Sequence, residues 1–271
     1  RFKLRYLMRV RWPAAESEPI EEQERRMQRG ADFHRLVQQH LLGISEERLT
    51  ASIDDPALAQ LWQYYLDFRP IDQAAASHPY RVYPEITLMT SLTGHRLMAK
   101  YDVIVAVERG EMVIFDWKTS KHRYESDQAE KRLQTRVYRS VVVRAGARLI
   151  ADDTVSPDKV TMVYWFAHHP TTPVRLPYSR VDYERDLDYL QTLIAQIETA
   201  TDVDAEAGAD ESAFPKTENV FLCRYCLFRS YCGRGVEAGD IDEQDLALEL
   251  EETEPASNFD FDFDQIAEVE F

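Results

Sequence analysis

The residue pattern predicts an α/β fold, a mixed central β-sheet flanked by helices, and three observations carry that expectation. The apolar run Met112, Val113, Ile114, Phe115 has the length and composition of a buried strand and ends in Asp116-Trp117-Lys118. A second strand-like stretch, Leu97 to Val107, precedes it, and the short loop Glu108-Arg109-Gly110-Glu111 suits a hairpin between the two. Helical periodicity brackets both, before them from Glu21 to Leu42 and from Asp54 to Phe68, after them from Asp127 to Arg144.

Along the chain, Arg1 to Arg11 interleaves bases with Phe2, Tyr6 and Leu7, which fits either an amphipathic helix with a basic face or a capping helix whose cations are merely solvated. Glu21 to Leu42 is a long helix whose stripe of Phe33, Leu36, Val37 and Leu41 faces a core, with His34 beside the stripe and Gly43 as C-cap. Pro56 stands early in the helix Asp54 to Phe68, where Leu58, Leu61, Trp62, Tyr65 and Leu66 pack. Tyr80 to Met89 is the next strand, and Pro84, just before Glu85, argues for an edge or a bulge. Within the helix Asp127 to Arg144, Gln134 and Tyr138 stand four apart and share a face. Val160 to His168 and Val174 to Tyr178 read as strands around a turn at His169-Pro170. Leu187, Leu190, Leu193, Ile194 and Ile197 give a last helical stripe.

At 271 residues and 44% hydrophobic, the chain can bury one substantial core with a small appended module. No apolar run approaches the ~18 residues of a membrane span, and no secretory signal opens the sequence, so it reads as cytoplasmic with no membrane partner. It begins at Arg1 rather than methionine, and the natural start is expected upstream. The net charge of −16 is unevenly spread. Residues 237–271 hold 14 acids and no Lys or Arg, leaving 34 acids against 32 bases in residues 1–236. Thr201 to Ser212 holds five more acids, so the remaining body is mildly basic and the bulk acidity excludes no nucleic-acid substrate.

Side chains in a strand alternate, so Asp116 and Lys118 leave the same face about 6 to 7 Å apart. With Asp102 among Val103, Ile104 and Val105, two acids and a lysine at the ends of paired strands suit a divalent metal and a phosphodiester. They suit a salt bridge as well. Their company in order is Gly30-Ala31-Asp32-Phe33-His34 in a helix, Glu85 in a strand, Asp102, Asp116-Trp117-Lys118, Gln134 to Tyr138, then a cysteine cluster. That series, over residues 1 to about 235, resembles the RecB-like branch of the PD-(D/E)xK nuclease superfamily, whose fold is restriction-endonuclease-like. It is closest to the iron–sulfur members, which include the CRISPR adaptation exonucleases and the nuclease domains of AddB-type helicase–nucleases.

The resemblance implies that His34, Asp102, Asp116 and the main-chain carbonyl of Trp117 hold Mg²⁺ or Mn²⁺, hard ions that favour oxygen. It gives Lys118 a role in positioning water or stabilising the transition state, and Glu85 a supporting role in catalysis. Gln134 and Tyr138 match the Gln-x-x-x-Tyr motif that helps orient DNA or catalytic groups. The chain departs from the family pattern at Ala99-Lys100-Tyr101-Asp102, where many members place glycine near the first aspartate, and it lacks a literal Pro-Asp.

Cys223, Cys226 and Cys232 form a C-x-x-C-x5-C array with no other cysteine in the chain. Clustered intracellular thiols favour a soft metal, yet zinc or a [4Fe–4S] cluster usually takes four protein ligands. The resemblance implies a [4Fe–4S] cluster whose fourth cysteine stands upstream of Arg1; a zinc ion, or three unliganded structural cysteines, are the other readings. The expected divisions are a nuclease core over 1–200, an acidic linker over 201–214, a cysteine module over 215–236 that completes the core, and an acidic, disordered tail over 237–271. The tail alternates Phe259-Asp260-Phe261-Asp262-Phe263-Asp264, which suits a solvating appendage, a docking segment for a protein, or a mimic of DNA in the chain's own groove.

Two functions fit these residues. One is a metal-dependent DNA exonuclease or endonuclease acting on single-stranded or end-containing DNA in repair, recombination or CRISPR adaptation, with a helicase or integrase partner. The other is a catalytically silent nuclease-like DNA-binding or complex-assembly protein.

Overall fold

Apolar side chains leave the central sheet on both faces, and each face is closed by helices. The computed structural model describes residues 8, 18–75, 79–107, 110–150, 154–206, 214–216, 218, 223 and 228–234. Of the expectations above, the basic segment Arg1 to Arg11 apart from Met8, half of the cysteine module including Cys226, and the whole tail lie outside the described residues.

Four helices come first, α1 (Glu18–Leu41), α2 (Glu46–Thr50), α3 (Pro56–Phe68) and α4 (Pro70–Ala75). Three strands follow, β1 (Tyr80–Leu92), β2 (His95–Val107) and β3 (Met112–Lys118). Next come α5 (Ser126–Lys131), α6 (Leu133–Ala145), β4 (Val160–Phe166), β5 (Val174–Pro177) and α7 (Arg180–Glu206). The sheet has the order β1-β2-β3-β4-β5, antiparallel except for the parallel pair β3 and β4 that the α5–α6 crossover joins. This is the mixed sheet with flanking helices that the sequence predicts.

Local signals explain most boundaries. Asp55 caps α3 by accepting the Ala57 N–H at 2.9 Å, Pro56 occupies its first turn, and Gly43 (φ 92°) ends the α1 segment. Thr93 and Gly94, both at positive φ, make the two-residue turn between β1 and β2, so β1 runs past the expected Met89 to Leu92. The expected single helix over 127–144 is instead two, because the backbone leaves helical geometry at Arg132 (ψ 140°). Arg132 is buried there with its guanidinium 4.4 Å above the Tyr124 ring, a tertiary contact that periodicity does not encode. The last helix extends through Glu206, so the first six residues of the expected acidic linker are helical.

On one face Tyr101, Ile104, Ile114, Met162 and Tyr164 meet Val141 and Val142 of α6. On the other, Val105, Phe115, Trp117 and Trp165 meet Phe33 and Val37 of α1 and Trp62 and Tyr65 of α3. Phe33 stacks on Trp165 with centroids 6.2 Å apart, and Tyr65 turns its edge to Trp117 at 6.0 Å. Burying such side chains contributes about 1.5–3 kcal/mol each.

The β1–β2 hairpin breaks its own alternation. Beyond the midpoint Ile86, Leu88, Ala99 and Tyr101 face α6; nearer the base the parity reverses, with Tyr83 and Ile104 facing α6 and Val82 and Val103 facing α1. The slip falls at Glu85, whose φ is 51°, and at Asp102, the two positions the ladder skips between Pro84–Val103 and Ile86–Tyr101. β3 covers only the base of β2, so the distal half of the hairpin projects beyond β3 as an arm. Its outer edge is closed by Arg148 and Arg144, which donate to the carbonyls of Thr87 (3.4 Å) and Ser91 (2.8 Å).

Between α6 and α7 lies a buried ionic knot. Asp186, fully buried, accepts from Arg139 (3.0 Å) and from the Tyr178 hydroxyl (3.1 Å) and lies 3.5 Å from Arg136. Among the described residues no helix is long and apolar enough to cross a membrane.

Candidate active site

β2 and β3 pair only from Val103 opposite Phe115 to Ala106 opposite Met112. Beyond that they part, and continuing the register would set Asp102 opposite Asp116. The cleft is bridged by side chains rather than ladder bonds. Asp102 accepts the Trp117 N–H on Oδ2 at 2.7 Å, and its Oδ1 lies 3.0 Å from His34 Nδ1. His34 Nε2 in turn lies 3.0 Å from the Trp117 carbonyl oxygen.

Both imidazole nitrogens thus face acceptors, which suits a doubly protonated ring. Burial works against that charge, but the Asp102 carboxylate and its hydrogen bond outweigh it, Asp116 adds, Lys118 opposes, and the His34 pKa is pushed up to about 9. Burial also acts to raise the Asp102 pKa, yet His34, the Trp117 N–H and Lys118 hold it below the usual carboxylate range. Because the folded pKa of His34 is raised, its contribution to stability is complete below about 6.5 and is lost as pH rises through about 9. For chelator-treated protein, the melting temperature is expected to fall across that window and the fall to flatten in His34→Gln. A slope identical in both proteins would refute the coupling.

Glu85 stands across from Asp102, and ligand atoms of His34, Glu85 and Asp102 lie within 4.8 Å of one another. Two carboxylates and an imidazole around one point suit Mg²⁺ or, with the nitrogen, Mn²⁺. Lys100 Nζ lies 2.6 Å from Glu85 Oε2. The left-handed backbone at Glu85 costs about 1–3 kcal/mol for a residue with a side chain, a strain that recurs at functional positions.

Asp116 and Lys118 leave β3 together on the α6 side, with Lys118 Nζ 2.9 Å from Asp116 Oδ2 and both side chains buried. Gln134 donates to Asp116 Oδ1 at 3.0 Å, while Tyr138 donates its hydroxyl to the Lys100 carbonyl at 2.5 Å and accepts the Tyr101 hydroxyl on its own carbonyl at 2.8 Å. The expected site residues therefore fall into two groups at one cleft. His34, Glu85 and Asp102 lie on the α1 side; Asp116, Lys118 and Gln134 lie on the α6 side; the Trp117 peptide links them, and Tyr138 fixes the arm. Asp116 stands outside the trio of converging ligand atoms, whereas Glu85, expected only to support, stands inside it. Counting back from the turn shows why: Glu85 is eight residues before Thr93 and Asp102 eight after Gly94. Locating that turn would have paired them.

Gly30 sets how closely α1 approaches. A Cβ there would lie 3.1 Å from Thr119 Oγ1, one residue beyond Lys118. Gly30→Ala is expected to leave the melting temperature unchanged or raised, since alanine favours a helix by about 1 kcal/mol. It should nevertheless slow cleavage several-fold by moving His34, and Thr119→Ala should restore the rate; no restoration would count against this contact. Of the cysteines, Cys223 and Cys232 are free thiols, and Arg234 Nη1 donates to Cys223 Sγ at 3.3 Å.

A mixed sheet flanked by helices, with acids, a histidine and an acid–lysine pair at one cleft, defines a nuclease of the restriction-endonuclease-like class. The family model described as the PD-(D/E)XK nuclease superfamily matches residues 1–233, and the chain belongs to that superfamily. Nucleases of this superfamily use divalent metal ions and act on DNA. No curated protein gives a significant match. Among solved structures the chain is similar to that titled "Crystal structure of SSO0001", with 13% identity over 76% of this chain and 96% of that chain and a TM-score of 0.32.

Proposed function

We propose that this chain is a metal-dependent deoxyribonuclease that hydrolyses phosphodiester bonds at DNA ends or in single strands, as an exonuclease of repair, recombination or CRISPR adaptation. The observation that carries the reading is the convergence of His34, Glu85 and Asp102 within 4.8 Å beside the buried Asp116–Lys118 pair. His34, Glu85 and Asp102, with Asp116 and the Trp117 carbonyl close by, would hold Mg²⁺ or Mn²⁺. Such an ion supplies Lewis-acid polarisation of the phosphate and a lower pKa for bound water.

The chain's own groups do the rest. Lys118 offers an ammonium held in place by Asp116, able to donate to a phosphoryl oxygen as charge develops there. Gln134 fixes Asp116, and through it the ammonium. Without an ion His34 aligns the Asp102 carboxylate, and as a ligand it would give up a ring proton; the Trp117 N–H holds the second oxygen of Asp102. The iron–sulfur reading belongs here too: Cys223, Cys226 and Cys232, with a fourth cysteine upstream of Arg1, would hold a [4Fe–4S] cluster that ties the module of 215–236 to the core. A helicase or integrase partner fits that reading.

The test is incubation of the protein with end-labelled single-stranded and duplex DNA, with Mn²⁺ or with EDTA. Stepwise shortening from ends with Mn²⁺ alone is the expected result. Binding without cleavage under both conditions would instead make the chain a silent DNA-binding protein.

A further inference from the structure

The arm that projects beyond β3 carries an exposed face the cleavage chemistry does not use. On β2 the residues Arg96, Met98 and Lys100 alternate with Leu97, Ala99 and Tyr101, which pack against α6. The first three therefore share the opposite face, the one that bears Glu85 and Asp102. Met89 on β1 pairs directly with Met98, and both are large apolar residues open to solvent, at 49% and 43% exposure. Ser91 stands opposite Arg96 and Thr87 opposite Lys100. From the cleft outward the face thus runs cation, methionine pair, cation, at intervals of about 6.6–6.8 Å.

We infer that this face is a track for one strand of single-stranded nucleic acid leading to the Glu85–Asp102 end of the cleft. The inference rests on the nuclease reading and specifies its substrate as an unpaired strand rather than duplex. Lys100 and Arg96 stand two such intervals apart, about 13 Å, so they supply cations for alternate phosphates of an extended strand, with the nucleotide between them over the methionines. Met89 and Met98 offer a soft apolar platform between those cations, which takes any base without reading its edge. A duplex would present only its phosphates to that platform and leave the methionines in water. Lys100 belongs to both places: it meets Glu85 at the base of the arm and so joins the track to the site.

The test is binding in EDTA, measured with a fluorescent duplex that is blunt or carries tails of one to six nucleotides at either the 5′ or the 3′ end. For the wild-type chain, affinity should rise with tail length at one polarity. In the double variant Arg96→Glu/Met98→Glu that gain should fall at least tenfold while the melting temperature stays within a few degrees of wild type. The milder Arg96→Gln keeps the fold beyond question. It should reduce the salt slope of tailed-duplex binding by about one. Equal tail dependence in wild type and both variants would overturn the track. A change in sedimentation with unaltered DNA binding would overturn it too, marking the face as a contact between copies. A wild-type chain that binds neither blunt nor tailed DNA would sink the nuclease reading and this inference together; one that binds DNA without preferring tails sinks only the inference.

Discussion

Asp116→Ala is expected to lower DNA cleavage by on the order of a thousandfold, the loss that follows when a preorganised electrostatic partner is removed. The geometry adds a second effect that sequence alone leaves out. Lys118 is only 5% exposed and stands 2.9 Å from Asp116, so the alanine variant leaves an ammonium buried beside the Tyr164 ring. Stranding one partner of a buried pair costs about 3–5 kcal/mol. The variant should therefore be both inactive and less stable, and the two losses must be separated. Replacing both partners, Asp116→Asn with Lys118→Met, removes the stranded charge and should regain most of the melting temperature while remaining inactive. Wild-type cleavage by either protein at a temperature where it is folded would refute the assignment.

Asp186→Ala should produce the largest loss of stability on the α6–α7 side, again about 3–5 kcal/mol. Its carboxylate is fully buried between Arg139, itself 1% exposed, and Arg136, with the Tyr178 hydroxyl as a third partner. Without it, Arg139 and Arg136 lose the carboxylate that lies between them, and Arg185 loses an anion 3.9 Å away. Because α6 also carries Gln134 and Tyr138, the variant should cleave more slowly even where it remains folded. Denaturant midpoints for wild type and variant measure the first effect. An unfolding free energy unchanged within about 1 kcal/mol would show that the knot is not what holds these helices.

The strands were legible because their apolar runs are short and bounded, and the period of two placed Asp116 and Lys118 on one face without any tertiary information. His34 was legible as a helical residue beside a core stripe, though only folding brings it against Asp102, 68 residues away. Other features were hidden for physical reasons. The helix break at Arg132 has no proline or glycine to announce it and depends on a ring contributed by another segment. The Glu85–Asp102 partnership depends on where the hairpin turns, and Thr93 at positive φ is a weaker signal than the asparagine that usually accompanies glycine in such turns. Lys100 carries no motif that marks it, and only the register places it diagonally across from Glu85.

The parity slip at Glu85 and Asp102 has a consequence for how this hairpin can vary. Lengthening both strands by two residues beyond Ile86 and Tyr101 would keep every outer side chain pointing as it does and add about 7 Å of protrusion. Adding one residue to each would invert the whole extension and bury its cations. Protrusion and cleft geometry are thus mechanically uncoupled: the same Glu85–Asp102 cleft can carry a longer or shorter hairpin in quantised steps, without moving the residues that line it.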